Sequence, residues 1–518
     1  MSPDAPAPAA RARLGLSPGE AFALLAVLVL GLLHLPHPFD WDQSMFVLGG
    51  QRLAAGGVLY RDFWDLKQPG IYWFYELAGR LFGFRETGIH LFELLWMMGF
   101  AATLLVTLRR RWGRGPATTL APLFTVGAYY AAAGDLHLTQ VEGLVGLPLY
   151  LALWFASEDG GGEPRAWRAL VSGLCAAVVL LFKLALLPIV GAFWLLALVE
   201  ATRRRGAGRA LVAFALPALL GVALPLAATL VYFGRLHLLG ALGWTYFTYP
   251  AFLLTRIEGT HVNRLFDGLQ WFLLRFSPLL GLAVVGAGLS RGRRDTLVAG
   301  LRLWLLAGVL VILVQRWSWW QYHYLLLLTP LGVLGAAGAG ALWSGLDRLG
   351  AGAPRARCLA AAGLVALFAG LLGLAAMKTV LLARERFALT PADRAAYQRR
   401  VSPLYLGFSQ DVALLNGPGR RPGAIFVLDD PVVYRLAGRP LSPAFRGVLF
   451  FREMEEAEWS VLTSRLERDP PAYVLVEWRF VPLLTGPAPR VARFAAFLAD
   501  GYRVAFTTER GAWYERAR

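Results

Sequence analysis

Charge is scarce in this chain. Only 16% of its 518 residues are charged, against roughly 25% in soluble globular domains, and that excludes an ordinary soluble protein as well as a disordered or collagenous one. Cysteine is almost absent. Cys175 and Cys358 both lie in or beside apolar blocks, so they build no disulfide framework and no metal-ligand spacing, and they carry no compartment information. No glycine-rich phosphate loop opens a helix, and there is neither a Walker-type lysine nor a dinucleotide fingerprint. No repeat of fixed period occurs.

What fills the sequence is apolar, 57% of the residues, for a mean hydropathy of +0.51. These residues arrive in blocks about twenty long, the length a helix needs to cross a bilayer. Eleven spans account for them, at approximately 17–36, 86–108, 116–133, 138–156, 167–182, 184–200, 210–233, 265–288, 298–315, 320–342 and 358–380. A net charge of +17 would suggest nucleic acid in a soluble protein. Here the basic residues are mostly Arg in short clusters between the blocks, which is how orientation is signalled in a membrane, and no nucleic-acid partner is expected.

With the N-terminus inside, the connections RRRWGRG (109–115), SEDGGGEPRAWR (157–168), TRRRGAGR (202–209), SRGRRD (290–295) and LDRLGAGAPRAR (346–357) all fall inside, each with at least two Arg. The outer connections are then Gly134–His137, a turn at Lys183, Gly234–Arg264 and the aromatic RWSWWQYHY (316–324), whose Trp and Tyr suit an interfacial belt. Residues 1–16 read as a cytoplasmic tail. Ala21–Leu35, with no small-x-small cleavage site after it, reads as a retained first span. The expected location is the cell membrane, the bacterial inner or plasma membrane, crossed many times.

Two segments break the pattern. In the long outer loop 37–85, Asp42–Gly56 predicts an amphipathic helix and Tyr72–Phe84 a second helix lying in the interface. From 384 to 518 charge returns and the apolar runs shorten. Ala424–Leu428 and Tyr473–Val476 predict buried strands, Phe450–Arg468 is mostly helical, and Tyr502–Thr508 with Gly511–Tyr514 suggests a closing hairpin. The fold class is therefore a polytopic α-helical membrane domain (17–383) with an outer soluble α/β domain (384–518).

The first outer loop, HPFDWDQSMFVLGGQRLAAGGVLYRDFWDLKQPG (His37 to Gly70), carries four carboxylates, Asp40, Asp42, Asp62 and Asp65, with Lys67 in a Lys-Gln-Pro turn. A carboxylate at the start of a helix is also a common cap, but capping leaves the other charges unexplained. The stretch from Asp42 through Gly56–Asp62 to Lys67-Gln68-Pro69-Gly70 resembles the first loop of polytopic glycosyltransferases of the GT-C type. Within these it is similar to the family-39 group, which includes protein O-mannosyltransferases and lipid A aminoarabinose transferases. The usual pattern there is an Asp, often followed by Glu, then a Gly-x-x-x-Tyr-x-Asp turn, then Lys-x-Pro. Gln43 replaces the common Glu, so a role for a second adjacent carboxylate falls to Asp40 or is absent.

The resemblance implies a transferase that takes a sugar from a polyprenyl-phosphate donor and passes it to an acceptor hydroxyl, with inversion. Such a transfer needs a carboxylate to accept the acceptor's proton and cationic or metal stabilisation of the departing phosphate. Asp42 is the candidate base, Lys67 the nearest cation, and Asp62 or Asp65 would orient the acceptor or Lys67. Gln43 and Tyr60 are candidates for acceptor or sugar contact. Glu142, in GDLHLTQVEGL, is a functional candidate because a carboxylate near a membrane boundary is costly unless partnered; a water-exposed turn is the alternative. His137 in the same turn is a lone His and reads more readily as structural. Lys183, apolar on both sides, either meets the donor phosphate or snorkels to the headgroups. Arg316 and His323 are further candidates for the phosphate, with interfacial anchoring as the plainer reading of their aromatic neighbours. Arg256, Glu258, His261 and Arg264 would gate entry. Asp40 and Asp42 are the pair that would share a divalent cation, and metal dependence stays open. Besides the lipid-linked donor the partners are membrane lipid and an acceptor of undecided kind: protein, glycolipid or polymer. A transporter or flippase of lipid-linked sugars is the rival from another class, disfavoured because the polar residues gather at one face of the membrane and not at the midplane. A structural assembly factor would leave the first loop unexplained.

Overall fold

The computed structural model of the chain describes residues 15–157, 165–256, 262–289, 295–315, 319–349, 403–428, 430–486 and 489–517, with isolated residues between 354 and 396. The eleventh expected span lies largely outside that set. The expected spans from 17–36 to 320–342 are helical. The first four helices are α1 (Pro18–Leu33), α2 (Trp41–Ala54), α3 (Pro69–Phe82) and α4 (Glu86–Trp112). Ser17 starts α1 with a capping box: its Oγ accepts the Glu20 N–H at 3.3 Å, and Glu20 Oε2 accepts the Ser17 N–H at 2.7 Å. The same buried Glu20 pairs with Arg109 at 2.5 Å, which ties the start of α1 to the end of α4.

Among the described residues six helices are long and apolar enough to cross a membrane: α4, Leu184–Arg205, Ala207–Arg235, Val262–Gly288, Thr296–Val314 and Gln321–Leu346. Several leave large aliphatic side chains on the outside, among them Leu195, Leu216, Leu224, Leu274 and Leu306. Exposed apolar bands of this kind are stable only against acyl chains. Several expected spans are jointed. Residues 116–133 form Pro116–Pro122, a π-turn at Leu123–Gly127 and Ala128–Ala132, because Pro122 cannot continue the ladder of N–H donors. Residues 138–156 begin only at Val141 and break once at Val145. Helices Ala166–Phe182 and Ala207–Arg235 cross at Gly173 and Gly221, where a Cβ would meet the Ala218 and Leu170 carbonyls at 2.1 and 2.2 Å; backbones approach this closely only through glycine.

The C-terminal domain is α/β. Its sheet has strands β1 (Ile425–Leu428), β2 (Tyr473–Glu477), β3 (Tyr502–Thr507) and β4 (Gly511–Arg516) in the order β1-β2-β4-β3. β1 and β2 are parallel, joined through the helix Glu456–Arg468, while β3 and β4 form the expected antiparallel hairpin. The helix starts six residues later than predicted, at a capping box between Glu455 and Glu458, and leaves Phe450 and Phe451 to the loop before it.

This domain grips the loop 37–85. The Trp64 N–H donates to the Arg446 carbonyl at 2.7 Å, and the Val448 N–H to the Trp64 carbonyl at 2.9 Å. Arg435 pairs with Glu86 and stands 4.5 Å from the Phe39 ring. Gly447 makes the bridge feasible: its φ is +112° and a Cβ would meet the Trp64 carbonyl at 1.9 Å. Gly447→Ala is therefore expected to cost about 1–3 kcal/mol from backbone strain alone and to loosen the loop. Thermal unfolding in detergent with limited proteolysis checks this; an unchanged midpoint and cleavage pattern would mean that the bridge contributes little.

Candidate active site

The loop builds itself from local hydrogen bonds. Asp40, and not Asp42, is the N-cap of α2: the Asp40 N–H donates to Gln43 Oε1 at 2.7 Å in a capping box. This shift corrects the expected helix start and puts Asp42 in the first turn, with the helix ending at Ala54 ahead of Gly56 and Gly57. Gln43 also donates through Nε2 to the Leu138 carbonyl, so its amide staples α2 to the turn 134–140. Tyr60 adopts φ +67°, and its hydroxyl joins the Lys67 carbonyl and the Tyr246 hydroxyl, each at 2.9 Å; it shapes the turn that presents Lys67. Asp62 accepts the Val58 N–H at 2.8 Å and pairs with exposed Arg61 at 2.8 Å. It closes its own turn and stands apart from the other loop carboxylates. Asp65 is buried, held by the Tyr72 hydroxyl and by the Leu66 N–H at 2.6 Å.

Residues far apart in sequence converge on this loop. Lys67 Nζ lies 3.6 Å from Asp42 Oδ2 and 5.7 Å from the ring centroids of both Phe46 and Tyr322. Lys183 Nζ lies 2.5 Å from Glu142 Oε1, and His323 Nε2 lies 3.6 Å from that same oxygen. Lys183 is the break itself, an extended residue between Ala166–Phe182 and the next helix. Glu142 comes from the first turn of Val141–Leu144 and His323 from the 3-10 turn Gln321–Leu327. The chain has three lysines, and two of them are here. Burial alone would lower the Lys67 pKa, but the charges of Asp42, Glu142 and Asp65 outweigh it and hold it above the ordinary value. Two polar atoms in the cluster are buried without a hydrogen bond, Asp42 Oδ2 and His323 Nδ1. A carboxylate oxygen in that state has a lone pair free for an incoming hydroxyl.

Asp40 is pushed up to about 7, by burial first and then by the charges of Asp135 and Asp42; Asp65 is pushed up to about 6 by burial, against the pull of Lys67. A carboxyl whose folded pKa exceeds its unfolded value binds more protons in the folded state. Stability is therefore greatest below the unfolded value and falls as pH rises towards 7. Asp40→Asn is expected to flatten that fall in a series of thermal midpoints; an unchanged slope would rule Asp40 out as its source.

Asp40 and Asp42 do not extend to a ligand set. Among the described residues no three His, Cys, Asp or Glu side chains converge to hold a metal, and no step below passes through one. His137 is buried and stacked 4.2 Å from Trp271, and burial holds its pKa down to about 3, so it stays neutral. Arg264 lies over Trp320 at 4.2 Å. Arg316, Glu258, His261 and the Arg256 side chain are outside the described residues.

Three contributors were not singled out from the sequence. Tyr322 and Tyr72 are ordinary aromatics there, and only the fold brings them to Lys67 and Asp65. Glu93 had a signal: a carboxylate inside an apolar span is a functional candidate by default. Fully buried in α4, it accepts from the Tyr129 hydroxyl and from the Thr139 N–H at 2.8 Å, beside His90 at 3.3 Å. It thereby fixes the turn that receives Gln43 and leads into Glu142. Glu93→Ala is expected to lower the thermal midpoint by several degrees, as loss of a buried charged acceptor does; a midpoint equal to the parent's would show that the turn holds without it.

The fold is similar to those of two solved membrane enzymes. ArnT of Cupriavidus metallidurans bound to undecaprenyl phosphate superimposes over 96% of this chain and 97% of its own, with a TM-score of 0.58 at 15% identity. Its apo form gives 0.59 at 16% identity, with 96% of each chain covered. The oligosaccharyltransferase of Archaeoglobus fulgidus, in a complex with zinc and sulfate, gives 0.50 at 14% identity over 96% of this chain and 73% of its own. No protein-family model matches the sequence, and no curated protein matches it.

Proposed function

We propose that the chain is an integral-membrane glycosyltransferase that moves a sugar from a polyprenyl-phosphate donor to an acceptor hydroxyl at the outer face of the membrane, with inversion. The observation that carries this reading is the pairing of Lys67 with Asp42 beside Lys183 with Glu142, within a GT-C fold. The similar ArnT holds undecaprenyl phosphate, which supports a lipid-carried donor here. In this reading the N-terminus is cytoplasmic, 17–383 is the transferase domain with its catalytic loop at 37–85, and 384–518 is an extracytoplasmic domain.

The donor's phosphate meets Lys67 and Lys183, with His323 beside them. The acceptor oxygen attacks the anomeric carbon, the carbon–oxygen bond to phosphate breaks, and the bonding pair leaves on the phosphate oxygen. Asp42 takes the acceptor's proton. Asp65, anchored by Tyr72, positions Lys67 through its charge, and Glu142 positions Lys183. Two ammonium groups in a site shielded from water favour the charge that develops on the leaving phosphate. Polyprenyl phosphate and the glycosylated acceptor are the products. The test presents radiolabelled polyprenyl-phosphate sugars and a crude membrane extract to the purified protein in lipid, beside Asp42→Asn. Label reaching an acceptor with the parent alone is the expected result. Labelled lipid crossing the bilayer with no transfer would overturn the reading in favour of a flippase.

A further inference from the structure

The stretch of chain between the two halves of the site is short. At one end the Leu138 carbonyl accepts from Gln43 Nε2, next to Asp42 on α2. At the other, Glu142 Oε1 pairs with Lys183 at 2.5 Å. Thr139 and Gln140 therefore run from the side of the candidate base to the side of the cation. In the transfer described above the sugar spans the same interval, with its phosphate at one end and the attacking hydroxyl at the other.

The backbone of this stretch is pinned, and its side chains are left unsatisfied. Thr139 is β-branched yet adopts φ +51°, a strain that folds retain chiefly at functional sites. Its N–H donates to Glu93 Oε1 at 2.8 Å, and its carbonyl accepts from the Tyr75 hydroxyl at 3.4 Å. The Gln140 carbonyl accepts the Gly143 and Leu144 N–H groups, each at 3.1 Å. The Gln140 side chain has no such ties. The residue is 0% exposed, and neither Nε2 nor Oε1 has a hydrogen-bond partner among the described residues. Thr139 Oγ1 is buried in the same state, as is the Oγ of Ser44, which follows Gln43 on α2. Four neutral polar atoms buried without partners are a cost that packing does not repay, and a ligand carrying hydroxyls relieves it. An amide sets a donor beside an acceptor, which matches two adjacent hydroxyls. An ammonium uses only its oxygen and a carboxylate only its nitrogen.

We infer that Gln140, with Thr139 and Ser44, recognises the donor's sugar, and that this sugar is uncharged and turns a pair of adjacent free hydroxyls towards Gln140. Calling the sugar the donor's rests on the transferase reading; its recognition by Gln140 does not.

The test uses the full-length protein in nanodiscs. Native mass spectrometry measures binding of undecaprenyl phosphate and of undecaprenyl-phosphate glucose, mannose and galactose to the parent and to Gln140→Met, which keeps the side-chain length and removes the donor and acceptor. The parent is expected to bind at least one of the three sugar-linked lipids more tightly than the bare carrier. Gln140→Met is expected to lose about tenfold of that affinity, as leaving a buried hydroxyl unpaired does, while the bare carrier binds as before. Its thermal midpoint is expected to hold or rise, because an unsatisfied buried amide has gone. A parent that binds all three no better than the bare carrier would overturn sugar recognition. An equal loss for the bare carrier would overturn it by placing the amide at the phosphate, and a lowered midpoint by making the amide structural. Tighter binding of undecaprenyl-phosphate glucosamine than of all three would overturn the uncharged sugar. If Gln140→Met loses the sugar but the parent transfers it to no acceptor, the transferase reading has failed and this one has not. Transfer by the parent, with sugar affinity unchanged in the variant, is the reverse.

Discussion

Asp42→Asn is expected to lower the rate of sugar transfer by about 10²–10⁴-fold, the contribution of a positioned general base, while donor affinity stays close to the parent's. The argument is geometric. Asp42 Oδ2 is buried without a hydrogen bond and lies 3.6 Å from Lys67 Nζ. The amide is nearly isosteric and keeps the first turn of α2 intact, since the cap belongs to Asp40 and Gln43. Fold and donor site therefore survive, and only the proton acceptor is removed. Single-turnover kinetics at saturating donor separate the two quantities. A loss confined to donor affinity would reassign Asp42 to holding Lys67, and an unchanged rate would remove it from the chemistry altogether.

Much of this was legible along the chain because it is local. Span positions follow from runs of apolar residues, the strands and hairpin of the C-terminal domain from short patterns, and the first-loop site from residues packed into one stretch. The start of α2 was legible too: Asp40-x-x-Gln43 has the spacing of a capping box, and Asp42 beside it obscured that. The joint at Leu123–Gly127 has only Pro122 as a local sign, and proline is common in membrane helices. The convergence of Glu142, Lys183 and His323 has no local sign at all. Glu142 and Lys183 are 41 positions apart, and no periodicity connects them; packing alone decides that one pairs with the other. For the same reason Asp62 and Asp65, three residues apart in one turn, read as equivalents. The chain reverses between them, so Asp62 ends beside exposed Arg61 while Asp65 is buried beneath Tyr72.

The pairing of Lys183 with Glu142 makes the second large effect non-additive. Glu142→Ala alone is expected to destabilise the fold by about 3–5 kcal/mol, because it leaves an ammonium buried without its carboxylate. Lys183→Ala leaves the converse, a 3% exposed carboxylate that has lost its ion-pair partner and keeps His323 at 3.6 Å. Removing both leaves neither charge uncompensated, so the double variant is expected to recover most of the thermal midpoint that each single variant loses. Donor binding should behave differently. If Lys183 meets the phosphate, the double variant stays about as defective in binding polyprenyl phosphate as Lys183→Ala, since a recovered fold does not restore the cation. Thermal unfolding and polyprenyl-phosphate binding, measured on all four proteins of the cycle, separate the two roles. Recovery of both would make the pair structural and leave Lys67 as the cation that holds the donor. Recovery of the midpoint alone would mean that Glu142 keeps Lys183 charged and in place for a phosphate, the division of labour expected where a membrane site holds a cation ready for an anionic substrate.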